Sequence, residues 1–304
     1  MIKTYRLAQG RVCEGPADEC PVRVYVNPDD AEKRQLVGEY RIDEHTLNSA
    51  LDPDEQARLE FEPEHAALIL KRPKNYSAQD QFLFKTTSFG MFLFRDRLIV
   101  VVPEDIALFE GKQFAKVASV NELCLKLIFR SIYHFIEHLK IINMVSESLE
   151  SKINASMENK YLLNLFTLEK SLVYYLNAIN SNSTVIDKLK VNAVRIGFTQ
   201  DELEYLEDII IENTQCYKQS EIYSTVLAGL MDARVSVVSN NLNVLMKTLN
   251  IITIGIMVPT FVVSAFSMNV KIPIQDHPLA FWIIMGLALV SVVGFMVFWK
   301  NKKW

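Results

Sequence analysis

Polar and sulfur-containing side chains near the C-terminal end of the chain follow the spacing of one helix face. Intervals of three and four residues alternate between Asn243, Met246, Asn250, Thr253, Met257, Thr260, Ser264 and Ser267. A repeat of about 3.5 residues is typical of a seam between neighbouring helices. Small and hydroxyl side chains can serve helix packing in lipid, or the same face from several subunits can line a pore. The residues alone leave both interpretations open.

A second pattern with possible chemistry is His134-Phe-Ile-Glu-His138, which matches the H-x-x-E-H pattern of inverted zinc peptidases. Five residues on a helix are a weak signal, and two histidines with a glutamate also suit an ordinary helix face. The sequence contains no glycine-rich phosphate-binding loop, so ATP-driven pumping has no support. We therefore expect neither an enzyme nor an organic cofactor.

Two uncharged segments must position the polar stripe. Residues 248–270 and 278–299 contain 23 and 22 residues without a charge, and about 20 suffice to cross a bilayer as a helix. The second segment ends in Phe298 and Trp299 and is followed by a lysine-rich tail. The positive-inside rule places that tail in the cytoplasm. Two spans through the cell membrane then put both termini in the cytoplasm and the loop 270–277 outside.

The distribution of charge limits the possible partners. The chain has 32 basic and 36 acidic residues. Five of the basic residues and one of the acidic residues lie from Lys247 onward, so the part before Lys247 has 27 basic and 35 acidic residues. An acidic body argues against nucleic acid and is compatible with cations. The four cysteines lack C-x-x-C spacing and are expected to be reduced thiols. The N-terminus lacks the apolar stretch of a signal peptide.

A long proline-free region predicts long helices. No proline lies between Pro103 and Pro259, and Thr199-Gln-Asp-Glu202 has the pattern of a capping box that opens a helix. A helix of nearly 70 residues from there through the first span would be roughly 100 Å long. A break near Gly229 is the alternative. Such a helix would give events in the cytoplasmic body a mechanical route to a pore.

The first 110 residues or so have a different pattern, in which short β-favouring runs alternate with polar, helix-permissive segments such as 29–38. The predicted strands are Val22–Val26, 67–70, 82–84 and Leu98–Val102. We predict an α+β membrane protein with an N-terminal cytoplasmic α/β domain. The predicted ranges are 1–112 for that domain, 113–198 for a helical region, 199–269 for the stalk helix with a span at about 248–268, 270–277 for the outer loop, 278–299 for the second span and 300–304 for the basic tail.

Over nearly its whole length the sequence resembles the CorA family of magnesium transporters. The resemblance is carried by the run Asn240-Asn-Leu-Asn-Val-Leu-Met-Lys, by Val258-Pro-Thr and by Phe266-Ser-Met-Asn269. The segment Leu51-Asp-Pro-Asp-Glu-Gln-Ala-Arg-Leu-Glu60 is also similar to an N-terminal segment of the family. The resemblance implies a funnel-shaped homopentamer whose first spans line the pore, which favours the pore interpretation of the stripe.

The resemblance also implies site residues. Ser267, Met268 and Asn269 would form the selectivity filter, where five Asn269 carbonyls hold a hydrated Mg²⁺ through its water shell. Met246, Leu249 and Met257 would form apolar constrictions that close by dewetting. Asn243 and Thr260 also fall at pore-facing positions of the family, and the polar stripe adds Asn250, Thr253 and Ser264 as pore-lining candidates.

A regulatory Mg²⁺ site is implied at Asp208, between subunits. Ions that bridge crowded carboxylates would hold the channel closed, and their loss would shift the population to the open state. Asp96 is our candidate for the N-terminal partner of Asp208. Glu204 and Glu212 belong to the same acidic run and are further candidate ligands. The alternative is that Asp208 is an ordinary solvated acid on a helix.

Two departures from the family pattern bear on ion specificity. Ser267 replaces the glycine of the Gly-Met-Asn signature, and serine fits less easily if that position needs a positive φ. The outer loop of the family is usually acidic, whereas here Lys271 and Asp276 cancel. A zinc-transporting branch of the superfamily also departs from the signature.

These observations lead to three hypotheses. The first is passive, gated influx of hydrated Mg²⁺, with Co²⁺ or Ni²⁺ as further ions, through a pentameric pore that cytoplasmic divalent cations close. The second is transport of Zn²⁺ or another transition metal, coupled or not to protons. The third is a non-conducting sensory or structural assembly anchored in the membrane.

Overall fold

The computed structural model describes residues 1–8, 10–16, 20–77, 81–155, 159–270, 274 and 276–301. The chain divides into two compact units, and the second begins at Asp232. Lys271 and the tail residues 302–304, which enter the charge predictions above, lie outside the described residues.

A seven-stranded sheet forms the centre of the first unit, with strand order β2-β1-β3-β7-β6-β5-β4. The strands are Ile2–Ala8 (β1), Arg11–Glu14 (β2), Val22–Val26 (β3), Arg58–Phe61 (β4), Ala66–Pro73 (β5), Thr86–Leu93 (β6) and Leu98–Val102 (β7). β3 and β7 pair in parallel, and the other neighbouring strands pair antiparallel. The central strands β3, β6 and β7 are almost entirely buried, which agrees with their mostly apolar sequences and with the fully apolar sequence of β7.

Helices cover both faces of this sheet, because alternate residues of a strand point to opposite sides. Asp30–Glu39 (α1) and Glu44–Leu51 (α2) share one core with Ile69 and Val101. Val120–Ala155 (α3) and Asn159–Val191 (α4) share the other core with Leu68 and Val100. The first unit is therefore an α/β domain with helices in layers on either side of the sheet.

One predicted strand is wrong. Residues 82–84 do not form a strand, and both Gln81 and Phe82 have positive φ angles, of 46° and 68°. An extended strand requires negative φ. The backbone N–H of Phe84 instead donates to Oγ of Ser171 on α4 at 3.0 Å. The apolar residues of this segment anchor a loop to the helical layer.

The capping box opens the longest helix as its sequence predicts. After the short helix Ala193–Ile196 (α5), Gly197 adopts φ of 85°, and α6 then runs from Gln200 to Phe266 without a break at Gly229. Oε2 of Glu202 accepts from the backbone N–H of Thr199 at 2.8 Å, and Oγ1 of Thr199 accepts from that of Glu202 at 3.3 Å. Both bonds satisfy N–H groups that a helix start leaves without partners. Ala280–Asn301 (α7) follows.

Two helices, α6 and α7, are long and apolar enough to span a membrane. Within their most apolar windows, 0% and 6% of the residues are buried. A core helix of a soluble protein would be mostly buried by the rest of its chain. The described chain therefore does not support the interpretation of these two segments as core helices. The lack of cover agrees with helices whose solvent is lipid.

Candidate ion pathway and acidic site

The polar stripe lies along the part of α6 that belongs to the second unit, and all of its members are exposed in the single chain. The exposed fractions of Met246, Leu249 and Met257 are 58%, 57% and 62%. Such exposure of apolar side chains is unusual unless a partner or lipid covers them. The stripe therefore forms a continuous face that no part of the described single chain covers.

The opposite side of the same helix packs against α7. Its half-buried positions are Ile251, Gly255, Val258, Val262 and Phe266. A Cβ atom on Gly255 would lie 3.4 Å from the ring of Phe295, so the glycine permits close approach of α7. At about 100° per residue, this face and the polar stripe are centred roughly half a turn apart. Since α7 occupies one side, the polar side is left for other molecules.

Two threonines in the stripe present oxygen atoms as acceptors. Thr253 Oγ1 donates to the carbonyl of Leu249 at 2.8 Å, and Thr260 Oγ1 donates to that of Ile256 at 2.7 Å. A hydroxyl has one hydrogen and two lone pairs. Because the hydrogen is committed to the backbone, the lone pairs are left for a donor such as the water shell of a cation.

Residues 267–269 follow the end of α6 at Phe266. Ser267 donates to the carbonyl of Ser264 twice, from Oγ at 2.9 Å and from its backbone N–H at 3.1 Å. Among the described residues, positive φ at residues other than glycine occurs at Asn27, Arg41, Gln81 and Phe82 only. Serine therefore meets no backbone strain at position 267, and its hydroxyl closes the last helical turn. Met268 and Asn269 are exposed beyond it.

The predicted outer loop is described in part. Asp276 and His277 are exposed, and Nδ1 of His277 accepts from the backbone N–H of Leu279 at 3.2 Å, next to the start of α7. The predicted cancellation of charge depends on Lys271, which lies outside the described residues. That prediction stays untested.

Near its N-terminus, α6 carries the acidic candidates at intervals of four residues. Glu204 and Asp208 are exposed and Glu212 is half-buried. Nearby, Glu207 pairs with Lys190 at 3.1 Å. Within the described residues, no group of three or more histidine, cysteine, aspartate or glutamate side chains is arranged to hold a metal ion. The described part of a single chain therefore does not form such a group around Asp208.

Asp208 shares its side of α6 with large apolar residues. Ile211, Ile222 and Val226 recur on that side by helical geometry, with exposed fractions of 54%, 59% and 55%. A solvated helix face is normally polar. Ile211 lies about one turn from Asp208, and Ile222 and Val226 lie roughly 21 and 27 Å further along the helix. Exposed apolar side chains on one side of a helix are typical of a surface that a partner covers. The sequence analysis missed this apolar face, although its spacing of 11 and four residues is visible in the sequence.

Asp96, the candidate partner of Asp208, has an ion-pair partner within its own chain. Asp96 lies on the turn between β6 and β7 and forms an ion pair with Arg97 at 3.0 Å. The hydrogen bond with that guanidinium is the main cause that lowers the pKa of the Asp96 carboxyl below its ordinary value. Within a single chain, therefore, Asp96 has a cation partner of its own.

The H-x-x-E-H pattern has a structural explanation. Nδ1 of His138 lies 2.6 Å from the hydroxyl of Tyr175, and Glu137 pairs with Arg130 at 3.1 Å. The pKa values of His134 and His138 fall to about 3 and about 4, mainly because burial disfavours the charged imidazolium. These side chains contact neighbours in the first unit and are not arranged as zinc ligands with Glu137.

Comparison with known proteins identifies the family. The family model described as "CorA-like Mg2+ transporter protein" matches residues 24–302. The chain belongs to the CorA family. Members of this family are transporters, and magnesium and cobalt transport is the activity named for its characterised relatives.

The relatives match this CorA-family chain over most or all of its length. It is 24% identical to the cobalt/magnesium transport protein CorA of Methanocaldococcus jannaschii, with 100% of each chain covered. It is 22% identical to the protein of the same description from Thermotoga maritima, with 89% of this chain and 79% of that one covered. The complete structure of the M. jannaschii CorA magnesium transporter superposes with a TM-score of 0.83, at 21% identity, and covers 100% of this chain and 98% of that one. This likeness establishes the fold, in which an N-terminal domain is followed by a long helix with an apolar C-terminal part and then by a second apolar helix.

Proposed function

We propose that this CorA-family protein mediates passive, gated influx of hydrated Mg²⁺ through a homopentameric pore in the cell membrane. Co²⁺ and Ni²⁺ are further candidate ions. Family membership supports transport of divalent cations. The observation that carries the pore assignment is the exposed polar face of α6, which lies opposite the face packed on α7.

Several copies are required to enclose water, because each chain contributes two apolar helices. In the proposed pentamer, the first spans surround the axis and the second spans face lipid. Asn243, Asn250, Thr253, Thr260 and Ser264 then offer amide and hydroxyl groups to the pathway. Mg²⁺ releases its waters reluctantly, so neutral groups that hydrogen-bond to the water shell suit an ion that passes while still hydrated.

Selectivity is proposed at Asn269, with Ser267 and Met268 beside it. A ring of five carboxamide oxygens accepts hydrogen bonds from the first water shell of the ion without displacing it. A carboxylate ring would bind the ion more tightly and slow its release. Met246, Leu249 and Met257, whose side chains are exposed in the single chain, form apolar constrictions that exclude water when the pore narrows.

Closure is proposed to depend on cytoplasmic Mg²⁺ at Asp208. Ions between Asp208 of one subunit and acids of the next would offset charge repulsion and favour the packed, closed arrangement. The exposed Ile211, Ile222 and Val226 on the same side support an interface there. Asp208 and the pore stripe belong to one continuous helix, so a change at the interface reaches the pore without an intervening loop. Glu204, Glu212 and Asp96 remain candidate ligands.

The driving force is the electrochemical gradient. A divalent cation that moves inward gains ~4.6 kcal/mol per 100 mV of membrane potential, since each charge contributes ~2.3 kcal/mol. Both termini are placed in the cytoplasm in this proposal, so the acidic body meets the ions that have entered.

The decisive experiment is flux of Mg²⁺ and Zn²⁺ into liposomes that contain the purified full chain. We expect Mg²⁺ entry, and we expect Asn269→Ala to reduce it by at least about tenfold, a loss of roughly 1.4 kcal/mol of ion stabilisation. Asn240→Ala, at an exposed asparagine outside the stripe, serves as the matched control and should change flux less than about twofold. Unchanged flux in Asn269→Ala would remove the selectivity assignment.

The same experiment separates the alternatives. Entry of Zn²⁺ without Mg²⁺ would favour a transition-metal transporter, and a simultaneous change of internal pH would indicate coupling to protons. Absence of flux for both ions at several internal Mg²⁺ concentrations would favour a non-conducting assembly. A monomeric particle in detergent would contradict the shared pore directly.

A further inference from the structure

A cavity in the first unit collects cationic and hydrogen-bonding side chains that the transport proposal does not use. Its volume is about 230 Å³, and it lies between the end of β5, the middle of α3 and the segment that follows β7. Arg72, Asn75, Arg130 and His134 line it together with apolar walls that include Phe89 and Leu127. Two arginines and a histidine at one cavity are a recurrent arrangement for binding anions.

The two guanidinium groups retain unused donors. Arg72 is 5% exposed, and its two terminal nitrogens donate to Glu104 at 2.7 Å and to the carbonyl of Pro73 at 3.2 Å. Its Nε is buried and has no hydrogen-bond partner among the described residues. Arg130 donates from one terminal nitrogen to Glu137 at 3.1 Å. Each guanidinium has five N–H groups, so both can bind a further acceptor while their ion pairs stay intact. A buried donor without a partner is costly, and an acceptor in the cavity would remove that cost.

His134 is the third basic side chain that lines the cavity. It lies one helical turn after Arg130, and its ring is 4.4 Å from that of His138. Burial, His138, Arg72 and Arg130 together keep His134 neutral by lowering its pKa to about 3. The charged groups around it are Arg72 on β5, Arg130 on α3 and the exposed Glu110 in the segment after β7, while Glu104 and Glu137 bind the two arginines. Neutral His134 keeps one ring N–H, which can donate to an acceptor in the cavity.

We propose that this cavity binds a small oxyanion, phosphate or a carboxylate, through Arg72, Arg130 and His134. The site is independent of the ion pathway and would let the cytoplasmic body bind an anionic ligand as well as cations. Phosphate and carboxylate oxygens are the acceptors that guanidinium groups bind best. The size of the cavity limits the ligand to a small one.

Isothermal titration calorimetry on the full chain in detergent, in magnesium-free buffer, tests the proposal with inorganic phosphate and succinate as probes. We expect saturable binding of at least one probe at about pH 7. Phosphate binding alone assigns a phosphate site, and succinate binding alone assigns a carboxylate site. Either result supports an oxyanion site.

Variants connect the binding to these residues. Arg130 is half-exposed, so the variant Arg130→Gln should fold. It should weaken binding by at least about tenfold, because the charge-assisted hydrogen bonds to the anion are lost. His134→Asn should weaken binding less than Arg130→Gln does, because it removes one neutral donor and leaves both guanidinium groups in place. Arg41→Gln, which breaks an exposed ion pair with Glu64 outside the cavity, is the matched control. Absence of binding by both probes, or an equal effect of Arg41→Gln, would overturn the proposal.

Discussion

The two units of this protein bury their side chains to different degrees. In the first unit, buried residues occupy both faces of the sheet and continue along α3 and α4. In the second unit, Ala288 is the one buried side chain among the described residues, although the helices there are the most apolar of the chain. The first unit therefore completes its own core, whereas the described side chains of the second unit stay largely uncovered within the single chain.

The same contrast separates two kinds of polar group. In the first unit, buried polar side chains hold the backbone of distant segments. Asn182, for example, accepts from the N–H of Lys71 and donates to its carbonyl, both at 2.8 Å. In the second unit, the polar side chains of the α6 stripe are exposed and contact no distant segment of the described chain. The difference suggests that polar groups of the first unit serve the fold, and those of the stripe serve a ligand or a partner.

The largest expected effect tests whether the first unit depends on its own buried core for stability. Phe135 is 1% exposed, and its ring packs edge-on against Tyr175 with 5.0 Å between centroids. We expect Phe135→Ala to lower the free energy of unfolding of the first unit by about 3–5 kcal/mol, because it leaves a cavity. Leu249→Ala on the exposed stripe should change it by less than about 0.5 kcal/mol. Urea unfolding followed by near-ultraviolet circular dichroism gives both values. A similar cost for the two variants would contradict the contrast.

A smaller effect is expected from His138 as the pH falls. Burial lowers its pKa to about 4, whereas the unfolded chain has the ordinary value of 6.5. The unfolded state thus binds a proton first, so stability from neutral His138 is fully present above about pH 6.5 and is lost as the pH falls towards 4. The loss is at most about 3 kcal/mol. His138→Gln should flatten the pH dependence of the urea midpoint between those values, and an unchanged slope would show that His138 does not titrate as described.

Gating offers a third test, which asks whether Asp208 lies at an interface between subunits or on a solvated surface. Asp208→Lys should raise the internal Mg²⁺ concentration needed for closure by about tenfold or more, because lysine replaces a ligand and repels the ion. The control is Glu207→Gln, which removes the adjacent carboxylate that pairs with Lys190. Flux into liposomes at graded internal Mg²⁺ measures both variants. Closure at the wild-type concentration in Asp208→Lys would identify Asp208 as a solvated acid.

The smallest effect is expected at Ser267. Because its backbone does not adopt a positive φ, Ser267→Gly relieves no strain and removes one side-chain hydrogen bond to Ser264. We expect Mg²⁺ flux to change by less than about twofold and thermal stability by less than about 1 kcal/mol. A large gain in Mg²⁺ flux would contradict this expectation and would show that the Ser267 hydroxyl obstructs the pathway.

Much of the candidate site could be predicted from the sequence because its residues recur at a regular spacing along one helix. The stripe on α6 depends on a repeat of 3.5 residues, and a helix converts that repeat into one face without help from distant residues. The capping box and the lack of proline before Pro259 account for the helix from Gln200 to that residue, and the helix then continues through Pro259 to Phe266. By contrast, the strand predicted at 82–84 fails because two positive φ angles and a contact with Ser171 override the β propensity of its phenylalanines.

By itself, the sequence determined the two apolar helices, the polar stripe, the α/β character of the N-terminal domain and the family. Each depends on composition, on spacing along one element or on a contiguous motif. The tertiary structure alone decided that the stripe lies opposite the α7 contact, that His138 bonds to Tyr175, and that Arg72, Arg130 and His134 share one cavity. Those facts join residues from different elements, and their distances follow from how the elements pack, which no local repeat encodes.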